Sequence, residues 1–131
     1  MHNPARPLSP HLQVYRRQVQ MVTSIVHRAT GVVLSLGSLL IAAGLIALAS
    51  GEASWNSLRD CAASWLGLIV LIGWSWAIAF HLINGIRHLL QDAGWGYAIS
   101  TFVRNSWISV FGSLLLTVAI WVVVIARGGF A

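Results

Sequence analysis

Two groups of polar side chains interrupt an otherwise apolar sequence. The first is Ser24, His27, Arg28 and Thr30, followed by Gly31; the second is His81, Asn84, Gly85, Arg87, His88 and Asp92. Polar and ionisable groups in an apolar segment are costly unless paired, solvated or ligated, so each group marks a place where something polar is held. On a helix turning about 100° per residue, His81, Gly85, His88 and Asp92 follow steps of four, three and four and project from nearly one stripe. No charged residue lies between Asp60 and Arg87. His81 therefore sits in apolar surroundings, roughly 10 Å along the helix from His88 at a rise of about 1.5 Å per residue. A neutral imidazole placed there needs a partner for each ring nitrogen, from hydrogen bonds or from a metal.

Two chemistries meet that need. His81 can bond a carbonyl or serine of another helix, or it can ligate iron in a heme. Gly85, one turn away on the same face, removes a side chain where a flat macrocycle would lie. Heme propionates seek arginine or histidine where the ring edge meets the membrane interface, and His27, Arg28 and His88 stand at that level. Arg87 and, less readily, Arg28 are also compatible with snorkelling to lipid headgroups. Ser24 and Arg28 are four residues apart and share a helix face, offering a hydroxyl and a guanidinium to one acceptor such as a quinone carbonyl. The same pair also reads as a helix cap and a membrane anchor.

The elements that must carry these residues follow from the apolar pattern. The chain is 57% hydrophobic and 8% charged over 131 residues, with mean hydropathy +0.77, too little polar surface to coat a soluble globule. Residues 29–51, 61–86 and 105–126 are free of Asp, Glu, Lys and Arg, and each run reaches the roughly 20 residues a helix needs to cross a bilayer. Backbone in lipid must satisfy its own hydrogen bonds, and three runs cannot close a barrel. The expected fold is an all-α integral membrane protein with one domain, residues 1–131: an arm over 1–21 and transmembrane helices over about 22–49, 61–91 and 105–126, joined by short loops. All three prolines, Pro4, Pro7 and Pro10, fall in the arm. The first apolar run starts too late and runs too long for a cleaved signal peptide.

The net charge of +5 comes from arginine without lysine. Arg6, Arg16, Arg17, Arg28, Arg87 and Arg104 fall on the amino-terminal side of the membrane and Arg59 and Arg127 on the other, which predicts a cytoplasmic amino terminus and an outer carboxy terminus. Trp55 and Trp65 fit an outer aromatic belt, Trp95 and Trp107 an inner one, and Trp74 and Trp76 internal packing. A stripe of small residues, Gly31, Ser35, Ser38 and Ala42, would let a neighbouring helix approach the first span closely. The single cysteine, Cys61, excludes an internal disulfide or a multi-cysteine cluster.

Three stretches together resemble the cytochrome b membrane-anchor subunit of succinate dehydrogenase, respiratory complex II. They are Arg6 to Leu12 with Tyr15; Ser24 to Gly31; and His81, Gly85, Arg87, His88, Leu89 and Asp92 in the family's order and spacing. The motifs span residues 6–92, the hydropathy matches over the whole chain, and no motif position departs from the pattern. The resemblance implies that His81 is one axial ligand of a low-spin heme b. The second ligand would come from a smaller sister anchor subunit with which this chain shares a helix bundle.

His27, Arg28 and His88 would then meet the propionates, and Ser24 and Arg28 would line a ubiquinone pocket beside the iron–sulfur subunit. Flavin and iron–sulfur clusters would belong to the soluble partners. This sequence has no flavin motif, cysteine cluster or carboxylate pair suited to succinate chemistry. Asp92 would relay protons or pair with Arg28 or Arg87.

Other readings remain open at this level. A heme-free anchor would retain only the quinone site, and a fumarate reductase anchor would run the chemistry in reverse, although the proline arm resembles the ubiquinone-linked branch. A small transporter or channel subunit would use the His81 stripe to line an aqueous path. The expected location is a bacterial inner membrane, because no arginine- and serine-rich presequence precedes the arm; a mitochondrial inner membrane is the less favoured alternative.

Overall fold

The computed structural model of the chain describes residues 16–129. The motif at residues 6–12, Tyr15 and the three prolines lie outside the described residues. Four helices follow in order: α1 (Val19–Ala49), α2 (Glu52–Ala63), α3 (Trp65–Asp92) and α4 (Ile99–Ala126). Three of them, α1, α3 and α4, are long and apolar enough to cross a membrane. At 31, 28 and 28 residues they are roughly 40–45 Å long, more than the ~30 Å hydrocarbon core requires.

These helices do not stop where the charge-free runs stop. α1 reaches back to Val19 and α4 to Ile99, because a charge near the interface ends an apolar run without ending the backbone hydrogen-bond ladder. The turn after α3 has a local cause. The Gly94 N–H donates to the Gln91 carbonyl at 2.8 Å and the Trp95 N–H to the Leu90 carbonyl at 2.9 Å. This pair of bonds closes a helix when the residue between them takes a left-handed conformation, and Gly94 does so at φ 88°. α4 then runs antiparallel to α3.

The connection between the first two spans departs from the expected short loop, because α2 fills it with a 12-residue helix. Its sequence mixes Glu52, Arg59 and Asp60 with Ala and Leu, so it has no apolar run for hydropathy to detect. Helix-forming residues and an acidic side chain at the positive end of the helix nonetheless favour it. Ser64 separates α2 from α3: its backbone is extended, and its Oγ accepts from the Gly67 N–H at 3.2 Å, capping the new helix. Continuous helix therefore begins at Trp65, after residue 61.

Apolar side chains mostly face outward, and the interior is built from small and polar ones. Among the described residues the buried hydrophobes are Ala77, Ala79 and Phe80, whereas Thr23, Thr30, Asn84, Arg87, Gln91 and four hydroxyl residues of α4 are buried. Those four, Ser106, Ser109, Ser113 and Thr117, recur at steps of three and four on the inner face of α4. Each hydroxyl donates to a carbonyl about one turn back on its own helix. It is thus satisfied locally and lets α3 approach closely.

The antiparallel register is fixed by three contacts. Arg87 meets Ser106, Ile83 packs beside Gly112, and the Trp121 Nε1–H donates to Ser75 Oγ at 2.9 Å.

On α1 the buried positions are Thr23, Thr30 and Gly37, seven residues apart. A Cβ at Gly37 would overlap the Trp74 indole, so the glycine is what lets α1 and α3 close at this level. The stripe singled out from the sequence points elsewhere: Ser35, Ser38 and Ala42 are exposed, and only Gly31 faces α3. Trp55, Trp65, Trp95 and Trp107 are exposed, while Trp74 and Trp76 are half-buried.

Candidate functional site

The amino-terminal half of α1 lies against the carboxy-terminal half of α3, which brings three imidazoles together. The His27 and His81 rings stack with centroids 3.9 Å apart and planes 13° apart. His88 lies at 5.1 Å from His27, tilted by 45°. Gly31 and Gly85 border this group. A Cβ on Gly31 would stand 3.2 Å from His81 Cε1, and one on Gly85 would stand 3.7 Å from His27 Cε1. The space left by Gly85 is thus bounded by the His27 ring.

The hydrogen bonds around His81 fix its tautomer. Its Nδ1 is 3.2 Å from the His27 carbonyl oxygen and 3.2 Å from Thr30 Oγ1. The Thr30 hydroxyl already donates to that carbonyl at 2.9 Å. A carbonyl can only accept, and the threonine proton is committed, so both contacts place the His81 proton on Nδ1. Nε2 then carries the lone pair, and it has no hydrogen-bond partner among the described residues. Imidazoles that ligate metals are commonly arranged this way, with one nitrogen held by a backbone carbonyl and the other left for the ion. Among the described residues no three His, Cys, Asp or Glu side chains converge as a metal set.

Other site residues fall at different distances from this centre. Ser24 is half-buried and Arg28 exposed on the same turn of α1; neither is hydrogen-bonded to the other, and Arg28 has no ion pair among the described residues. Both side chains are therefore available to a ligand from outside the chain. Asp92 ends α3, is exposed, and pairs with neither Arg28 nor Arg87. Arg87 does not snorkel. It is buried between helices and donates to Ser106 Oγ at 2.5 Å.

The stripe read from the sequence keeps His81, Gly85 and His88 on one side of α3, and a second, buried face stands beside it. His81, Gly85 and His88 border α1, whereas Phe80, Asn84, Arg87 and Gln91 are buried in the interior with the α4 hydroxyls. The partners Thr23 and Ser106 were not anticipated. The recurrence of Ser and Thr at 106, 109, 113 and 117 is a period-3.6 pattern that marks the inner face of α4, and it was readable once hydroxyls were counted with the small residues rather than with the polar ones. Along the lower α1–α3 contact, Val33, Leu36, Leu40, Val70, Gly73 and Trp74 line an apolar groove that has Thr30 at its His81 end.

The family model of the succinate dehydrogenase/fumarate reductase transmembrane subunit matches residues 2–120. The succinate dehydrogenase cytochrome b556 subunit of Paracoccus denitrificans is 42% identical over 113 residues, covering 86% of this chain and 87% of that protein. The cytochrome b556 subunit of Rickettsia conorii is 39% identical over 117 residues, covering 89% and 91%. The mitochondrial cytochrome b560 subunit of Sus scrofa is 32% identical over 117 residues, covering 88% and 69%. With three spans and a match over nearly its whole length, the chain belongs to the family of succinate dehydrogenase/fumarate reductase transmembrane subunits.

Proposed function

We propose that this protein anchors a succinate dehydrogenase in a bacterial inner membrane, supplies one axial ligand to a heme b, and forms part of the site where ubiquinone is reduced. The observation that carries the heme reading is the state of His81, whose Nδ1–H is held by the His27 carbonyl and Thr30 while Nε2 is left without a partner. The donor set fits a group that takes one nitrogen from this chain and a second ligand from a sister anchor subunit. When bound, heme b supplies a one-electron carrier at the level of α1 and α3.

The chain's own residues then have separable tasks. The His27 carbonyl and Thr30 orient the His81 ring and fix its tautomer. His27, Arg28 and His88 are the cations and donors for the propionates. Ser24 and Arg28 donate to a quinone carbonyl, where a hydroxyl and a guanidinium stabilise negative charge as electrons arrive, and their place near the α1 terminus keeps proton exchange with water open. Asp92, exposed at the end of α3, would relay those protons. Succinate oxidation, flavin and iron–sulfur clusters belong to soluble partner subunits, which dock on the cytoplasmic side under the amino-terminus-inside topology.

The test is a dithionite-reduced minus oxidised spectrum of the complex purified through this subunit, with identification of the co-purifying chains. A b-type signal with flavoprotein and iron–sulfur partners is expected. Partners without any heme absorbance would refute the ligand role of His81 and leave a quinone-binding anchor.

A further inference from the structure

Arg87 is only 5% exposed, and every group that meets its guanidinium is neutral. Nη1 donates to Ser106 Oγ at 2.5 Å and to Thr23 Oγ1 at 3.5 Å. Cζ lies 5.2 Å from the centre of the Phe102 ring, and Nε is buried without a hydrogen-bond partner among the described residues. The one ion pair among the described residues, Arg59 with Asp60, lies in α2, and the nearest carboxylate in sequence, Asp92, is exposed.

Arginine keeps its proton in proteins, and an uncompensated charge inside a protein is costly. The bundle therefore holds a permanent positive charge that no described residue balances. Arg87 directly precedes His88, the third member of the imidazole group, and stands roughly 9 Å along α3 from His81. Across protein rather than water, the field of such a buried charge is weakly screened.

We propose that Arg87 is an electrostatic tuning residue, whose unpaired internal charge favours the reduced state of the redox group held at His81. The inference rests on the heme reading of His81. Reduction adds one electron to ferric iron, delivered from a reduced iron–sulfur centre of the complex; no bond forms or breaks and no proton moves. The oxidised centre carries one more positive charge than the reduced one, so a fixed cation nearby disfavours the oxidised form and raises the midpoint potential. A residue serving only to clasp α1 and α4 onto α3 would affect assembly and leave the potential of assembled complex unchanged.

The experiment is a spectroelectrochemical titration of the heme in purified complexes carrying Arg87→Met, Arg87→Lys or Ser106→Asp. Methionine keeps much of the packing and removes the charge. Lysine keeps the charge. Ser106→Asp keeps the guanidinium and places a carboxylate against it, separating charge from packing. Lower midpoints are expected for Arg87→Met and Ser106→Asp, with Arg87→Lys close to the unmodified complex and the heme-to-flavin ratio unchanged. Where the methionine variant fails to assemble, Ser106→Asp decides. An unaltered midpoint with the charge removed or neutralised overturns the proposal alone, whereas no b-type spectrum in the unmodified complex overturns it together with the ligand role of His81.

Discussion

His27 and His81 lie face to face, yet the bond that orients His81 comes from the backbone of His27 and not from its ring. The His27 carbonyl accepts from His81 Nδ1 at 3.2 Å, while the Nδ1 of His27 itself is buried without a partner. Two imidazoles stacked at 3.9 Å thus have different roles built in. One is fixed with a free Nε2, and the other is left with a ring nitrogen that no described residue meets.

That asymmetry separates two substitutions. His81→Ala removes the donor and should abolish the b-type spectrum, or leave a perturbed heme. His27→Ala keeps the carbonyl that holds His81, so heme should remain ligated, with a shifted potential or weaker retention from the lost propionate contact. Reduced-minus-oxidised spectra and heme-to-flavin ratios of the two purified complexes check this. An unchanged spectrum and stoichiometry in His81→Ala would count decisively against ligation.

Gly31 sets how closely α1 approaches the His81 ring. Its missing Cβ would stand 3.2 Å from His81 Cε1, so Gly31→Ala needs a shift of only a few tenths of an ångström and should retain heme. Gly31→Leu cannot be accommodated without rotating the ring away from the His27 carbonyl, and overpacking of this kind costs about 1–3 kcal/mol. Heme content should fall severalfold in Gly31→Leu while the subunit still reaches the membrane. Pyridine hemochrome assay of membranes normalised to subunit abundance measures it, and full heme occupancy in the leucine variant would show that the α1 contact does not position His81.

Ser24 and Arg28 present unpaired donors on one turn of α1. Loss of a hydrogen bond from a charged group costs about 1.5–3 kcal/mol, so Arg28→Ala should weaken quinone reduction roughly ten- to a hundredfold. Succinate oxidation with an artificial acceptor should survive, because that acceptor takes electrons before the quinone site. Ser24→Ala, which removes a neutral donor, should raise the apparent KM for quinone by a smaller factor. Steady-state kinetics with both acceptors distinguish the cases: equal loss of both activities in Arg28→Ala would indicate failed assembly.

How far the sequence reveals the molecule depends on what kind of signal each feature leaves. The three long helices are legible because lipid imposes length and hydropathy directly on the chain. The stacking of His27 on His81 was not legible: the sequence put His27 near the interface with His88 and shallower than His81, and no periodicity links residues on different helices. The capture of His81 Nδ1 by a backbone carbonyl was not legible, because a carbonyl has no residue type. α2 was missed because a mixed polar helix at a membrane surface resembles a loop in hydropathy. Arg87 misled for a related reason: an arginine close to a helix end normally extends toward the headgroups, and only the inward hydroxyls of Thr23 and Ser106 on two other helices draw it inside.

The orientation of the bundle is the remaining link between site and mechanism, because the turn of α1 proposed to meet quinone must open toward the soluble subunits. With arginines concentrated at the ends of α1, α3 and α4 that share a side with the amino terminus, that side should be cytoplasmic, and α2 should lie on the outer face. Cys61, the single cysteine, is exposed in α2 and reports on it directly. A membrane-impermeant maleimide should label Cys61 in right-side-out vesicles and label it in inverted vesicles only after detergent. In a Cys61→Ser background, Tyr97→Cys, at an exposed position between α3 and α4, should give the opposite pattern. Reversal of both patterns would place Ser24, Arg28 and the imidazole group at the outer surface, where flavin- and iron–sulfur-bearing partners in the cytoplasm could not reach them.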